Sequence, residues 1–286
     1  MQIKKGENFM NILVTLNSGY VYPLTVMLRS LMRTNPGEKF TVYVAHSSLT
    51  AEDFEKIRSS VDIGRCRVVG IAVDNRLFAD ASCKSRLSKE TYYRLYAAEF
   101  LPESVDRILY LDPDIIINGR LRKLYDIDFG TRLFAAAGHN NRFLNSLNRR
   151  RLGMPEHSVY TNNGVIMMNI SLLRRERSAQ MLMKYIAENN KKLLLEDQDV
   201  FNALYSGRKI ILDPEIVNMD ELTFRRLERR TGREEARNFV RNNTVIIHYN
   251  GKEKPWNAEY KGKLGGFFRK YEAERNNVCE LRQNAV

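Results

Sequence analysis

Two aspartates, Asp112 and Asp114, flank Pro113 within an otherwise apolar run at residues 109–117. If this run is extended, side chains at positions i and i+2 point to the same side, so the two carboxylates converge. Two like charges beside apolar surface repel each other, and a proton or a cation must neutralise them. A hard divalent ion with oxygen ligands is the natural partner, so the pair predicts a metal site. The alternative is an exposed Asp-Pro turn, which the flanking apolar residues disfavour.

His248 ends another apolar segment and is followed by a short polar loop with a glycine and two lysines. Its imidazole could give the same ion a nitrogen ligand, and oxygen-rich coordination with one imidazole suits Mn²⁺ better than Mg²⁺. In the loop, Gly251 allows close approach of the backbone to a ligand, and Lys252 and Lys254 offer positive charge to phosphate groups. Alone, His248 would be interpreted as a structural histidine. Together with the two aspartates it is a candidate metal ligand.

Three other segments carry polar side chains suited to a ligand with hydroxyl and phosphate groups. An Asp-Gln-Asp sequence at residues 197–199 opens a predicted helix and offers acceptors and donors within a small space. Acidic residues in a first helical turn also favour the helix dipole, which is the structural explanation. An Asn-Asn-Gly sequence at residues 162–164 precedes a strand and is by itself only a turn signal. Arg94 lies in an aromatic helix, where a packing role competes with a binding role.

Strands that alternate with helices must position these groups. Four apolar segments have the length of strands: residues 11–16, 40–45, 67–73 and 107–111. Thr50 and Asp53 form a capping box that predicts the start of a helix after the second strand. This alternation predicts βαβ units, a mostly parallel sheet and helices on both faces. Ligands of such open sheets bind beyond the carboxyl ends of the strands, where Asp112 lies.

The second half of the chain has a looser pattern. Further buried strands are predicted at residues 133–137, 164–169 and 244–248, and a helix at about residues 171–190 with Met181, Leu182, Tyr185 and Ile186 on one face. Without a repeat, a low-complexity tract or a linker, residues 10–260 are predicted to form a single domain. Residues 261–286 form a basic amphipathic tail, which is either a terminal helix docked on the domain or a segment that binds a membrane surface.

Composition limits the class of protein. Hydrophobic residues make up 43% of the 286 residues, which supports a folded core. No apolar run approaches the roughly 18–20 residues of a membrane span, and the N-terminus lacks the pattern of a signal peptide. Three cysteines without a CxxC pair favour the reducing cytoplasm. The net charge of +12 indicates an anionic partner, for which nucleic acid, acidic lipid and phosphorylated small molecules qualify.

With these segments in this order, the chain resembles glycosyltransferase family 8, which contains bacterial lipopolysaccharide galactosyl- and glucosyltransferases and is related to glycogenin. The resemblance covers residues 10–256 and rests on a set of motifs: Asp-x-Asp after an apolar strand, Asn-x-Gly, Asp-Gln-Asp, and His-x-x-Gly-x-x-Lys-Pro-Trp. It implies an α/β protein with a Rossmann-like GT-A fold, whose mixed central sheet has helices on both faces. It also implies the retaining transfer of a hexose from a UDP-sugar, with Mn²⁺ or alternatively Mg²⁺ as cofactor.

The resemblance further implies roles for individual residues. The metal ligands would be Asp112, Asp114 and His248, with Pro113 between the two aspartates. The residues beside uracil and ribose would be Thr15, Asn17 and Tyr20. The residues around the donor hexose and its reacting face would be Arg94, Asn162, Asn163, Asp197 and Gln198, with Asp199 just behind them. The residues of a loop that closes on the diphosphate would be Gly251 and Lys254.

Some positions depart from the family pattern. The family usually has two acidic residues where this chain has Asn17 and Ser18, so base selectivity and donor affinity stay open. Asn163 stands where a smaller residue is frequent, so this side chain could decide which hexose fits, and UDP-glucose and UDP-galactose both qualify. Residues 139–141 (His-Asn-Asn) lie where acceptor contacts are expected and indicate no particular acceptor. A cell-surface glycan or a lipid-linked saccharide is the expected acceptor class.

Retention of configuration leaves two routes. Gln198 or Asp199 could act as an enzyme nucleophile in a double displacement. Alternatively, the acceptor attacks on the same face while the departing phosphate accepts its proton. The second route is favoured, because no residues resemble the opposed carboxylate pair of retaining glycosidases.

Two other functions fit parts of the sequence. A nucleotidyltransferase would share the sheet, the paired aspartates and a basic phosphate loop, but it more usually has a glycine-rich basic loop where this chain has residues 17–20. A nucleic-acid-binding protein would use the arginines at residues 149–151 and 225–241, but these lack interleaved aromatic residues and are mixed with glutamates. We therefore expect no nucleic acid partner. We expect a cytoplasmic enzyme whose basic tail could rest on the inner face of an anionic membrane.

Overall fold

The computed structural model describes residues 9–73, 90–139, 142–189 and 193–283. The strands in these residues are β1 (Phe9–Thr15), β2 (Lys39–His46), β3 (Cys66–Ala72), β4 (Arg107–Leu111), β5 (Ile115–Ile117), β6 (Phe134–Gly138), β7 (Thr161–Asn169), β8 (Lys209–Leu212) and β9 (Ile246–His248). The helices are α1 (Val21–Thr34), α2 (Ala51–Arg58), α3 (Glu90–Tyr93), α4 (Ala97–Phe100), α5 (Arg122–Tyr125), α6 (Arg142–Leu152), α7 (Ile170–Arg175), α8 (Ser178–Asn189), α9 (Glu196–Leu204), α10 (Pro214–Val217), α11 (Glu221–Thr231), α12 (Arg233–Asn243) and α13 (Gly265–Gln283).

Seven strands form the central sheet in the order β3-β2-β1-β4-β7-β6-β8, while β5 and β9 pair in a separate two-stranded sheet. Neighbouring strands of the central sheet are parallel except at β7, which runs antiparallel to β4 and β6. The sheet is therefore mixed, as the sequence predicts. The chain leaves β1 towards β2 on one side and returns at β4 on the other. The carboxyl ends of β1 and β4 thus flank a topological switch point, where open α/β sheets bind ligands.

Alternating side chains of the sheet enter two apolar layers. On β1, Ile12 and Val14 pack in the layer that contains α1, whereas Leu13 packs in the layer that contains α7, α8 and α9. All three side chains are fully buried. Burial of an apolar side chain of this size contributes about 1.5–3 kcal/mol relative to exposure. The helices on both faces therefore confirm the predicted layers and hold the strand ends in place.

Most predicted elements are present with small shifts in their bounds. The capping box of α2 is also present, since Thr50 and Asp53 each accept the backbone N–H of the other. The single helix predicted at residues 171–190 is wrong. Arg177 has a φ of +50°, outside the helical region, and the chain there divides into α7 and α8.

The segment that carries Asp112 and Asp114 is not the continuous strand assumed from the sequence. β4 ends before Asp112, the chain bends at Pro113 and Asp114, and β5 begins at Ile115. Proline lacks the N–H that a ladder needs, so it suits a point where the chain leaves one sheet for another. β5 then pairs antiparallel with β9, and Ile115 lies opposite His248. This pairing brings the histidine beside the two aspartates.

The C-terminal segment docks on the domain. Leu264, Phe268 and Tyr271 are buried in one cluster with residues of α1, α11 and β9. The Phe268 ring contacts Tyr249 and Trp256, with centroid distances of 5.9 Å and 5.6 Å. The tail therefore follows the docked-helix alternative as far as its side chains are described. None of the helices in the described part of the chain is long and apolar enough to cross a membrane.

We predict that Phe268→Ala lowers the free energy of unfolding by about 3–5 kcal/mol, because truncation of a fully buried phenylalanine loses transfer free energy and leaves a cavity. Chemical denaturation followed by circular dichroism measures this loss. Phe267→Ala is the matched control, because Phe267 is only partly buried, and it should lose less. Equal midpoints for Phe268→Ala and the native protein would mean that the tail does not belong to the folded domain.

Candidate active site

Three side chains with metal-ligand chemistry converge where the chain bends after β4. Asp112, Asp114 and His248 each offer one ligand atom, and these atoms lie within 4.8 Å of one another. His248 Nε2 is 3.5 Å from Asp112 Oδ2 and 3.3 Å from Asp114 Oδ1. His248 and Asp114 are buried, whereas Asp112 is partly exposed. The structure therefore brings together the three residues that the sequence nominates as metal ligands, which we call the acid–histidine cluster.

The imidazole is held from behind. His248 Nδ1 lies 2.8 Å from Asn218 Oδ1, which can only accept, so Nδ1 donates and Nε2 faces the carboxylates. Such a partner is the usual means by which proteins orient a histidine ligand. On another side, the backbone of Gly164 lies so close that a Cβ atom there would be 2.8 Å from both Asp112 Oδ2 and His248 Nδ1. A residue without a side chain leaves room for the cluster.

Arg94 is a buried cation that contacts two carboxylates. Its Nη1 lies 2.9 Å from Asp112 Oδ1, and its Nε lies 3.4 Å from Asp197 Oδ2. Nη1 also donates to the carbonyl of Asn163 at 2.8 Å, and the guanidinium carbon is 4.5 Å from the centroid of the Tyr110 ring. The Tyr110 hydroxyl donates to Asp112 Oδ1 at 2.6 Å. Arg94 thus connects the acid–histidine cluster with the Asp-Gln-Asp segment.

Lys254 brings the predicted phosphate loop to the same cluster. Its Nζ lies 2.6 Å from Asp114 Oδ2 and donates to the carbonyl of Tyr249 at 2.8 Å. The ammonium is also 6.0 Å from the centroid of the Trp256 ring. Gly251, in the same loop, is exposed. The loop therefore places a positive charge directly against one of the two aspartates.

The cluster shifts the pKa values of its members. Burial alone would lower the pKa of His248, but Asp114 and Asp112 outweigh it and raise the pKa to about 9. Burial would raise the pKa of Asp112, but Arg94 and His248 hold that pKa below its usual value. For Asp197 burial dominates over Arg94 and raises the pKa to about 6. Shifted pKa values of this kind, in a buried cluster beside a cavity, are typical of a functional site.

Two segments contribute amide and carboxyl groups to a cavity of about 230 Å³ beside the cluster. Asn162 and Asn163 come from the start of β7, and Asp197 and Gln198 come from the first turn of α9. Asn162 Nδ2 lies 3.5 Å from Gln198 Oε1, and Asn163 Nδ2 lies 3.4 Å from Asp197 Oδ2. The cavity is lined by Arg94, Asp112, Asp114, Asn162, Asn163, Gly164, Asp197, Gln198, His248 and Asn250.

Asp199 does not reach this cavity, contrary to its nomination as a candidate nucleophile. It is fully buried and accepts two hydrogen bonds from Arg151 and one from the Tyr160 hydroxyl, each at 2.7 Å. The backbone N–H groups of Leu194 and Leu195 donate to its Oδ2 at 2.6 Å and 2.8 Å. Against the effect of burial, these donors hold the pKa of Asp199 below its usual value. Because these hydrogen bonds engage its carboxylate, Asp199 is a weak nucleophile, and it does not line the cavity.

The residues predicted beside uracil and ribose lie at the carboxyl end of β1. Thr15 is buried, and its hydroxyl lies 3.1 Å from the Tyr110 hydroxyl, which connects it to the acid–histidine cluster. The Asn17 side chain accepts the N–H two residues on, at 3.1 Å, and caps a 3-10 helix. Tyr20 meets Trp256 edge to face, with the ring centroids 6.1 Å apart. The turn after β1 and the loop that follows β9 are therefore in contact.

The sequence of the chain matches that of a known family. The chain matches the family model described as glycosyl transferase family 8 over residues 11–259, which is most of its length. The chain belongs to glycosyltransferase family 8. The resemblance inferred from the motifs is thereby confirmed, and the reaction class is glycosyl transfer.

Curated relatives of this family 8 chain have low sequence identity to it, but the matched regions cover most of its length. Glycosyltransferase GlyF of Streptococcus pneumoniae is 24% identical over 248 residues, which cover 87% of this chain and 57% of that protein. The chain thus spans little more than half the length of GlyF. Lipopolysaccharide 1,3-galactosyltransferase of Salmonella typhimurium is 22% identical over 253 residues, which cover 87% of this chain and 73% of that protein.

A solved structure supports the fold. Galactosyltransferase LgtC, in complex with donor and acceptor sugar analogues, matches with a TM-score of 0.80 and 21% sequence identity. The match covers 93% of this chain and 96% of that chain. The family 8 chain therefore has the GT-A fold, as the sequence predicts.

Some residues of the family 8 site were not found from the sequence. Tyr110 lies two positions before Asp112 and contacts its carboxylate, so the two-residue spacing at the end of the strand was a usable signal. Asn218 has no signal, because it meets His248 only through the folded chain. Of the residues expected at the acceptor, His139 lines a separate cavity of about 670 Å³. Residues 140 and 141 lie outside the described residues.

We predict that Gly164→Ala weakens Mn²⁺ binding by about 10- to 100-fold, the usual effect of disturbing the surroundings of metal ligands. The reason is that the new methyl group must displace the His248 ring or the Asp112 carboxylate. Electron paramagnetic resonance of free Mn²⁺ during a titration measures the affinity. Gly207→Ala is the matched control, because a Cβ atom at Gly207 meets open space. Native affinity in the Gly164→Ala protein would mean that the ion binds elsewhere.

Proposed function

We propose that this chain transfers glucose or galactose from a UDP-sugar to a glycan or lipid-linked saccharide. We propose that the anomeric configuration is retained and that a divalent ion, Mn²⁺ in preference to Mg²⁺, is the cofactor. The observation that carries the proposal is the convergence of Asp112 and Asp114 with His248 and Lys254 at the switch point of the sheet. The paired carboxylates can bind a metal ion, and the flexible lysine side chain beside them can bind the diphosphate that accompanies the ion.

The donor set fits such an ion. Two carboxylates and one imidazole make an oxygen-rich site without sulfur, and this donor set suits Mn²⁺. Gly164 keeps side-chain atoms out of the site, and Asn218 orients His248. When bound by Asp112, Asp114 and His248, the ion would supply positive charge that stabilises the diphosphate leaving group.

Lys254 is proposed to bind the diphosphate. Its ammonium already bonds to Asp114, and a phosphate oxygen is an equally good acceptor for a charge-assisted hydrogen bond. Exchange of one acceptor for the other would draw the loop onto the donor. Loss of one electrostatic partner of this kind typically costs on the order of 10²–10³ in rate.

The hexose is proposed to bind between β7 and the first turn of α9. Asn163 Oδ1 is buried and has no hydrogen-bond donor among the described residues, so a sugar hydroxyl could supply one. The long contacts of Asn162 with Gln198 can likewise be exchanged for contacts with hydroxyl groups. Uridine is proposed to lie beside Thr15, Asn17 and Tyr20, and the contact of Tyr20 with Trp256 supports this placement next to the phosphate loop.

For retention we propose attack on the same face as departure. Asp199 is saturated with donors and Asp197 pairs with Arg94, so Gln198 is the remaining candidate nucleophile of the segment, and an amide is a poor one. In the proposed step the acceptor oxygen bonds to the anomeric carbon as the bond from that carbon to the phosphate oxygen breaks. The acceptor proton passes to the departing phosphate.

Contact with an anionic membrane is proposed through charged side chains of the tail alone. Lys261, Arg269 and Lys270 are exposed, while the apolar side chains of Leu264, Phe268 and Tyr271 are buried. An electrostatic contact weakens with salt because the charges are screened. Co-sedimentation with phosphatidylglycerol vesicles should therefore fall between low and high salt. Equal sedimentation at both salt concentrations, or none at low salt, would contradict the proposal.

The proposed function is tested by thermal shift with nucleotide sugars. UDP-glucose or UDP-galactose should raise the melting temperature in the presence of Mn²⁺, since a donor at a hundredfold excess over its Kd adds about 2.7 kcal/mol of stability. GDP- and ADP-sugars should have little effect. No response to any uridine nucleotide would contradict the proposal.

In the same assay, Asp114→Asn should lose the Mn²⁺-dependent part of the shift, and its turnover of UDP-sugar should fall on the order of 10²–10³-fold. Asp128→Asn is the matched control. Asp128 is exposed and accepts the N–H of Gly130, which asparagine can also accept. Turnover at the native rate by a folded Asp114→Asn protein would exclude the metal role of this residue.

A further inference from the structure

Lys209, at the start of β8, is a buried cation that the proposed chemistry does not use. It is 7% exposed, and its Nζ donates to Asn202 Oδ1 at 2.6 Å and to Thr161 Oγ1 at 3.1 Å. It also lies 5.1 Å from the centroid of the Phe201 ring. Among the described residues no carboxylate pairs with it, and burial lowers its pKa to about 7. Burial of a lysine without a carboxylate partner costs folding free energy, and its hydrogen bonds to these oxygens and to the carbonyl of Val159 at 3.4 Å offset that cost.

Asn202 uses its whole side-chain amide. Besides Lys209, its Oδ1 accepts the backbone N–H of Thr161 at 2.7 Å and the Thr161 hydroxyl at 3.0 Å. Its Nδ2 donates to the carbonyl of Thr161 at 2.8 Å and to the carbonyl of Gln198 at 2.9 Å. Both amide hydrogens are therefore engaged. The Asn202 side chain bonds to both the N–H and the carbonyl of Thr161, as a neighbouring strand would. It thereby connects Thr161 to the first turn of α9.

The hydrogen bonds behind the cavity are short, and those within it are long. Asn202 contacts the backbone of the two segments at 2.7–2.9 Å. The side chains that line the cavity meet at longer distances, 3.5 Å for Asn162 with Gln198 and 3.4 Å for Asn163 with Asp197. Bonds near 3.5 Å contribute little, so they do not set the distance between the segments. Short bonds therefore set that distance: those of Asn202, and the bond from the Tyr160 hydroxyl, next to β7, to Asp199 at 2.7 Å.

We propose that Lys209 and Asn202 are positioning residues, which fix the spacing between the start of β7 and the first turn of α9. Neither residue lines the cavity. Lys209 acts by holding Asn202 Oδ1 towards Thr161. An amide rotated by half a turn would place its NH₂ group against the ammonium and would lose its bonds to Thr161. The inference rests on the proposed function only in that these two segments are taken to hold the donor hexose.

The test is Lys209→Met, which removes the charge and keeps a similar volume. Amide hydrogen exchange should accelerate on the order of tenfold at Thr161 and in the first turn of α9, and only there, because a charge-assisted bond is lost. The melting temperature should not fall. Turnover of UDP-sugar should fall about 10- to 100-fold through kcat, as expected when reacting groups are misplaced.

Two further variants complete the experiment. Arg208→Met is the matched control, because Arg208 is adjacent in sequence but pairs with Glu176, and it should leave exchange at Thr161 unchanged. Asn202→Asp keeps the acceptor for Lys209 but cannot donate to the two carbonyls. Its Oδ1 still accepts the Thr161 N–H, so exchange should accelerate in the first turn of α9, where the bond to the Gln198 carbonyl is lost. This variant decides the question if Lys209→Met does not fold.

Native exchange rates at Thr161 and in the first turn of α9 in these variants would overturn the proposal, as would acceleration spread evenly over the protein. A drop in melting temperature with unchanged kcat would indicate a purely structural role and would also overturn it. If the native protein turns over no UDP-sugar, the proposed function fails, while the exchange measurement still decides whether Lys209 and Asn202 fix the spacing.

Discussion

Asp112 and Asp114 place two negative charges side by side where the chain leaves the central sheet. Such a pair is costly to bury unless positive groups compensate it, and here these groups come from distant parts of the chain. Arg94 precedes β4, His248 ends β9, and Lys254 lies in the loop that follows. The charges balance only when these parts have assembled. The result is a site with preorganised positive groups around a carboxylate pair, which suits an anionic ligand bound with a cation.

A few local features of the fold position these charged groups. The bend at Pro113 turns the chain out of the seven-stranded sheet, and the pairing of β5 with β9 then delivers His248. Gly164 on β7 leaves space for the imidazole. The tail packs Phe268 under Tyr249 and Trp256, so it supports the loop that carries the lysine. The strand ends of the GT-A sheet thus position the site, and the short connections after those ends carry its charged side chains.

The sequence predicted the layers and the cluster of Asp112, Asp114 and His248, because strand periodicity and short motifs are local signals. The strand pattern alone indicated a mostly parallel sheet, and the mixed sheet was implied only by the resemblance to the family. The predictions from sequence failed where contacts between distant parts of the chain determine the position of a residue. Asp197 and Asp199 look equivalent in the motif, but residues two apart on a helix point to different sides, and only Asp197 reaches the cavity. Asn218 and Asn202 act through contacts made only in the folded chain, so neither has a motif. The helix break at Arg177 likewise lacks a proline or glycine to announce it.

The proposed function requires that the carboxylate pair bind a cation together with a diphosphate. Anomalous diffraction from crystals grown with Mn²⁺ and UDP tests this directly. We expect one strong anomalous peak bonded to Asp112, Asp114 and His248 Nε2, with a phosphate oxygen on the same ion and Lys254 Nζ moved from Asp114 to the diphosphate. Ordered UDP with no metal peak at these three side chains, or a peak bound by other residues, would contradict the proposed function.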